Sequence, residues 1–186
     1  ASFIVELLND RDWLRFIGDR QVRTQDDALA YLRKGDVAQA KHGFALGAVQ
    51  RTSDGALIGK CGLIRREGLD DVDLGYAFLP AYRGQGYARE AAEATLRYAR
   101  GRHQLPRVVA ITSLDNVASG RLLERIGLQF EGTVRLAGSD EDVRLYGTTG
   151  AYPFDAPNTR PVFDGLWTSG QLSQADIQRL PEFGIE

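Results

Sequence analysis

A glycine-loosened turn between a strand-like apolar run and an amphipathic helix is the stretch of this 186-residue chain best equipped for chemistry. Residues 74–79 (Leu-Gly-Tyr-Ala-Phe-Leu) reach Pro80, and Arg83-Gly84-Gln85-Gly86-Tyr87-Ala88 follows shortly after. Ala88, Ala91, Ala92, Thr95, Leu96 and Ala99 then recur at helical spacing, with one face to bury. A helix entered through glycines leaves its first N–H groups unpaired, and the helix dipole adds positive charge there. The expected ligand is a phosphate or diphosphate. The plainer alternative is a turn whose glycines only reverse the chain.

Two phosphate-binding motifs do not fit. A P-loop needs a Gly-Lys-Ser/Thr ending, which is absent, and a dinucleotide fingerprint needs a third glycine where Arg89 stands. What the segment does fit is Arg/Gln-x-x-Gly-x-Gly/Ala. A second pattern lies downstream. Val108-Val-Ala-Ile-Thr-Ser has β composition, and Asn116, Ser119 and the Ile126-Gly127-Leu128 exit mark a helix. Asn116 suits an N-cap, and Gly127 suits the residue just past the helix end.

The two segments together resemble the signatures of the GNAT superfamily of acetyl-CoA-dependent N-acetyltransferases, in particular the branch of ribosomal-protein alanine N-acetyltransferases. The resemblance covers residues 1–148 and stops there, leaving 149–186 as a C-terminal extension of unknown role. It implies an α+β fold with one mixed, mostly antiparallel sheet, splayed central strands and flanking helices. Acetyl-CoA is the implied cosubstrate, with no metal. Backbone groups of Phe78 and Leu79 would meet the pantetheine arm. Arg83, Gly84, Gln85, Gly86, Tyr87 and Ala88 would hold the diphosphate, while Asn116 and Ser119 face the thioester end. Arg121 is a further candidate for the phosphates. Where many members place a tyrosine, seven residues after the Asn, this chain has Leu123, so the task of stabilising the leaving thiolate falls to Ser119. Asp73 is the first candidate for the base that takes the amine's proton, with Glu67 and Glu131 behind it. The acceptor is a primary amine, either a protein N-terminus or a small molecule. A polycationic antibiotic and a non-catalytic acyl-CoA sensor are the alternatives.

Composition is compatible with this. The chain carries a net charge of −2, which argues against a nucleic-acid surface. It contains no apolar run near the roughly 20 residues of a membrane span. The single Cys61, in an apolar run, reads as a buried inert thiol and points to the cytoplasm. His42 and His103 stand far apart in sequence without clustered ligands. A monomer or homodimer is expected.

The positioning elements follow from periodicity and turn chemistry. Phe3, Ile4, Leu7 and Leu8 share a helical face, and Thr24 caps a helix with Ala28, Leu29 and Leu32 inward and Gly35 closing it. Phe44, Leu46 and Ala48 alternate as a strand. Ser53-Asp54-Gly55 is a hairpin turn returning as Leu57–Ile64. Further strands are expected over 73–79, 108–113, 128–136 and 143–148. The family's usual opening strand is missing and the chain has no methionine, so a truncated N-terminus is expected.

Overall fold

The computed structural model describes residues 1–136 and 138–149. Three helices come first: α1 (Ser2–Leu8), α2 (Arg11–Phe16) and α3 (Gln25–His42). Strands β1 (Leu46–Gln50), β2 (Leu57–Ile64) and β3 (Val72–Phe78) form a meander, followed by α4 (Tyr87–Gly101), β4 (Val108–Ser113), α5 (Val117–Arg125), β5 (Leu128–Arg135) and β6 (Asp142–Thr148). The sheet order is β1-β2-β3-β4-β6-β5, and only β3 and β4 run parallel. This is the expected mixed, mostly antiparallel α+β sheet. Apart from Thr149, the expected C-terminal extension lies outside the described residues.

The parallel pair is the break in the sheet. β3 and β4 share only the rungs Val72↔Val108 and Asp73↔Val109. Beyond them β3 stays bonded to β2 as far as Phe78, and β4 stays bonded to β6 as far as Ser113. Two intact outer ladders therefore hold the inner edges apart, and the sheet opens as a V toward the C-terminal ends of both strands.

Each face of the sheet carries its own core. Leu63, Leu74, Phe78, Leu96, Val108, Ala110, Leu123 and Ile126 belong to one cluster, beneath α4 and α5. Ile4, Leu7, Leu8, Trp13, Val22, Ala28 and Leu79 form the other, which belongs to α1–α3. α3 is fixed at its start by a capping box between Thr24 and Asp27. It does not end at Gly35. It continues to His42, and Gly43 closes it in a left-handed conformation. A Cβ at Gly35 would meet nothing within 4 Å, and the helix carries this half-buried glycine at a modest propensity cost. Leu29, expected inward, is 44% exposed. β1 also departs from expectation: Phe44, Gly47 and Val49 are buried while Leu46 and Ala48 are only partly so. His42 and His103 both lie against the Phe44 ring, at centroid distances of 6.0 and 5.3 Å.

Lys60 of β2 is an unusual member of the α1–α3 face. It sits opposite Ala77 at 5% exposure, with Nζ 4.6 Å from the centre of the Tyr31 ring. Burial pushes its pKa down to about 8. The folded state therefore disfavours the charged form, and stability falls as pH drops from the ordinary lysine range through about 8. The ring recovers part of that loss. Lys60→Met is expected to raise neutral-pH stability by about 1–2 kcal/mol, with the advantage vanishing above pH ~10. Denaturant titrations at several pH values read this directly. No advantage at pH 7 would mean the ammonium is better satisfied than its burial implies.

Candidate active site

The open edge of β3 follows from its pairing with β2. The Leu79 N–H donates to the Ile58 carbonyl at 2.9 Å. Antiparallel pairing alternates, so the amides of Phe78 and Tyr76 point the other way, into the V. Phe78 thus stands where a pantetheine chain could pair with it. Leu79 does not: its N–H serves Ile58, its carbonyl accepts from the Tyr82 N–H at 3.0 Å, and its side chain is buried in the α1–α3 cluster. Both backbone groups of Leu79, for which a part in holding the pantetheine arm was expected, are thus engaged within the fold. Pro80 and the 3-10 turn Pro80–Tyr82 end the strand and aim the chain at α4.

At the mouth of the V the loop enters α4 through Gly84 (φ +71) and Gly86 (φ +93), and a Cβ at either position would meet nothing within 4 Å. Both backbones occupy the left-handed region that glycine adopts without a steric cost. Gly86 is the N-cap and has no side chain to close the first turn. Among the described residues, no hydrogen-bond acceptor takes the N–H of any residue from 84 to 89. The Gln85 side chain folds back, with Nε2 donating to the Ala81 carbonyl at 2.7 Å, and leaves its own N–H exposed. Tyr87 and Ala88 rest partly buried against the main core, anchoring the first turn. A row of free amides at the positive end of a 15-residue helix is suited to an anion.

Arg83 does not point its charge at that row. Its Nε donates to the Phe78 carbonyl at 2.8 Å, one terminal nitrogen pairs with Asp12 at 2.5 Å, and the other pairs with Asp10. Asp10 is also the N-cap of α2. On the opposite side, Arg15 of α2 pairs with Asp115, just past β4, at 2.7 Å. α2 is thus fastened to the C-terminal ends of both diverging strands and spans the mouth of the V. Two carboxylates engage the Arg83 guanidinium in this structure and tie the loop to α2, as a latch would, while its expected part in holding a diphosphate stays an expectation. Arg83→Ala is expected to raise the acceptor KM by about 3–10-fold and change acetyl-CoA affinity less than about 3-fold. Steady-state kinetics and calorimetry separate the two, and a loss of acetyl-CoA affinity near 100-fold would support the phosphate role.

α5 supplies the other wall. Asn116 caps it, with Oδ1 accepting from the Ser119 N–H at 3.1 Å, and Gly127 follows the helix end at φ +91. The Ser119 hydroxyl lies 2.8 Å from the Tyr76 hydroxyl, which joins α5 to the open strand β3 across the V. Leu123 is 1% exposed and sits in the main core, so it lines nothing. Arg121 is exposed at the surface.

Among the carboxylates, Asp73 occupies the apex. It belongs to the last shared rung of β3 and β4, is 1% exposed, and pairs with Arg66 at 2.7 Å through Oδ2. Its Oδ1 is buried with no hydrogen-bond partner among the described residues. Burial pushes its pKa up to about 6, against the opposing pull of the Arg66 charge and of the Ile111 amide. Glu131 is committed to Arg107 at 2.6 Å, which holds its carboxyl below the usual range, so it is not poised as a base. Glu67 is exposed in the turn before β3. Tyr76 as the partner of Ser119, and Asp10 and Asp12 as partners of Arg83, were not foreseen in the sequence. No local spacing links them, because each contact crosses between elements. Among the described residues no group of three His, Cys, Asp or Glu side chains could hold a metal ion, and no helix is long and apolar enough to cross a membrane.

Known proteins share this fold. Residues 1–129 match the family described as Acetyltransferase (GNAT) domain. YnaD of Bacillus subtilis (strain 168), an uncharacterized N-acetyltransferase, is 31% identical over 131 residues, covering 69% of this chain and 73% of its own. A GNAT-family acetyltransferase from Bacillus anthracis superposes with a TM-score of 0.64 at 26% identity, over 78% of this chain and 86% of that one. The ribosomal-protein-S5-alanine acetyltransferase from Vibrio fischeri shares the fold, with a TM-score of 0.59 at 21% identity over 80% of this chain and 88% of its own. With most of its length accounted for, and its strands parting above an uncapped helix, the chain belongs to the GNAT family and is an N-acetyltransferase.

Proposed function

We propose that the protein binds acetyl-CoA in the V between β3 and β4 and passes the acetyl group directly to a primary amine held beneath α2. The observation that carries this is the loss of pairing after two rungs, which leaves the Phe78 and Tyr76 amides facing a gap beside the uncapped α4 N-terminus. The residues fit the cosubstrate: an open strand edge for the amides of pantetheine, and free N–H groups from Gly84 to Ala88 for the diphosphate. The fold neighbour that acetylates a ribosomal-protein alanine makes an N-terminal amine the first acceptor to try.

The chain's groups then divide the work. Attack needs a neutral amine, and Asp73, with a pKa raised to about 6, can accept a proton near neutrality, through a water molecule given its burial. A strand N–H at Tyr76 or Phe78 donates to the carbonyl oxygen as charge develops on it. Ser119 donates to the departing sulfur. Acyl transfer to nitrogen with loss of thiolate and a proton needs nothing else.

An acceptor panel with free-thiol detection tests the reading. It should contain short peptides beginning with alanine or serine, spermidine, single amino acids and an aminoglycoside. Stoichiometric thiol release and N-acetylated product from at least one amine is the expected outcome. Ser119→Ala should then lower kcat about 10-fold and leave the KM for acetyl-CoA within about 2-fold. Equal loss in both parameters would remove Ser119 from the chemistry. Acetyl-CoA binding with no amine turned over would overturn the catalytic reading for these acceptor classes.

A further inference from the structure

The main core contains one hydroxyl pair that the family signatures do not account for. Tyr76 lies on the β3 edge that has lost its parallel partner, and its ring packs against the α4–α5 cluster. Its hydroxyl is 2.8 Å from Ser119 Oγ and 3.3 Å from the Ser119 carbonyl. A phenol has one hydrogen, and these two oxygens compete for it. Either hydroxyl can donate in the shorter contact; we take Tyr76 as the donor to Oγ, because the carbonyl is the more distant and already serves α5 as a helical acceptor. Ser119 Oγ then accepts from Tyr76, and its own hydrogen is free to turn into the V.

We infer that Tyr76 is a positioning residue for the acetyl transfer, holding the Ser119 hydroxyl so that it donates to the sulfur of coenzyme A. The inference rests on the reading that the V binds this cosubstrate. Neither hydroxyl gives up its proton. Burial pushes the phenol's pKa upward, so it remains a donor throughout while thiolate charge builds on sulfur. The arrangement also explains how the chain works with Leu123 where a tyrosine is common. The phenol is supplied from the strand across the cleft, and it acts through an intervening serine. A Cβ on Gly120 would meet the Tyr146 hydroxyl at 2.5 Å, so a second buried tyrosine packs closely behind the helix turn that presents Ser119.

The test uses coenzyme A itself as the probe and needs no acceptor. The pKa of the bound thiol is read from ultraviolet thiolate absorbance for the wild type, Tyr76→Phe, Ser119→Ala and the double variant, and calorimetry at neutral pH records the affinity of each. The thiol pKa is expected to rise by about 1 in Ser119→Ala and by a similar or smaller amount in Tyr76→Phe. The double variant should match Ser119→Ala alone, because a residue acting through the serine has no effect once the serine is gone. Additive shifts, or no shift in Tyr76→Phe, overturn the inference while the cofactor site stands. Failure of coenzyme A to bind the wild type overturns the cofactor site, and this inference with it. Purely structural damage from Tyr76→Phe would lower affinity or melting temperature without moving the thiol pKa, and that outcome also counts against the inference.

Discussion

Gly86→Asp is expected to weaken acetyl-CoA binding by on the order of 100-fold or more while the domain stays folded. Gly86 sits at φ +93 with open space where a Cβ would go, so the new Cβ clashes with no atom of the protein. The backbone cost of holding a non-glycine residue in the left-handed region is roughly 1–2 kcal/mol, and aspartate is among the residues that tolerate it best. Binding suffers far more. A carboxylate within about 5 Å of a diphosphate, at an effective dielectric near 20, opposes it by about 3 kcal/mol per phosphate charge. It also bonds the same free amides of the α4 first turn, as an N-cap aspartate does. Gly86→Asn separates the effects, since it keeps the backbone cost and the volume and removes the charge. Its loss is expected to stay near 10-fold and to be insensitive to salt, whereas the aspartate penalty should shrink as ionic strength rises. Calorimetric titration across a salt series reads all three proteins. Affinity in Gly86→Asp within about 3-fold of wild type would place the diphosphate elsewhere.

The fold was legible in the sequence wherever a local rule sufficed. The strand Leu57–Ile64, the Asn116 cap and the Gly127 exit depend on a hairpin turn signal, a side-chain amide and a glycine at fixed offsets, and the structure has all of them. The helix through Gly35 was misread because one interior glycine costs little against the capping box and the Gly43 terminus that bound the helix. The site divides in the same way. The free amides of residues 84–88 are a property of one loop, so the sequence displayed them. The engagement of Arg83 with Asp10 and Asp12, residues 73 and 71 positions away, depends on where α2 lands. Leu79 was expected to share the open strand edge with Phe78, and the structure pairs its N–H with β2 instead. Its neighbour Phe78 faces the gap only because the Leu79 N–H is spent on Ile58, and that parity is set by pairing with another strand.

Asp73→Asn is expected to do two things that point in opposite directions. In the wild type the carboxyl has its folded pKa raised to about 6, above the ordinary carboxylate value. Between pH ~4 and ~6 the unfolded chain releases this proton while the folded chain keeps it, so folding stability falls across that window and stays lower above it. The loss is on the order of 3 kcal/mol at neutral pH. Asparagine has no proton to exchange, so the variant should lack this slope and gain on the wild type as pH rises from 4 to 6. Part of the gain is returned because Arg66, about a quarter exposed, loses its partner and must rely on solvent. Catalysis should respond the other way. If Asp73 takes the amine's proton, kcat/KM falls by on the order of 100-fold, within the usual worth of a general base. The acidic limb of the wild-type pH–rate profile, with an apparent pKa near 6, should disappear with it. Both readouts are needed because Asp73 also sits on the last rung before the strands part, where a purely mechanical brace would likewise be buried and paired. A brace would show the stability change alone. An acidic limb that survives in Asp73→Asn with activity near wild type would remove the carboxylate from the reaction and leave it as the hinge of the V.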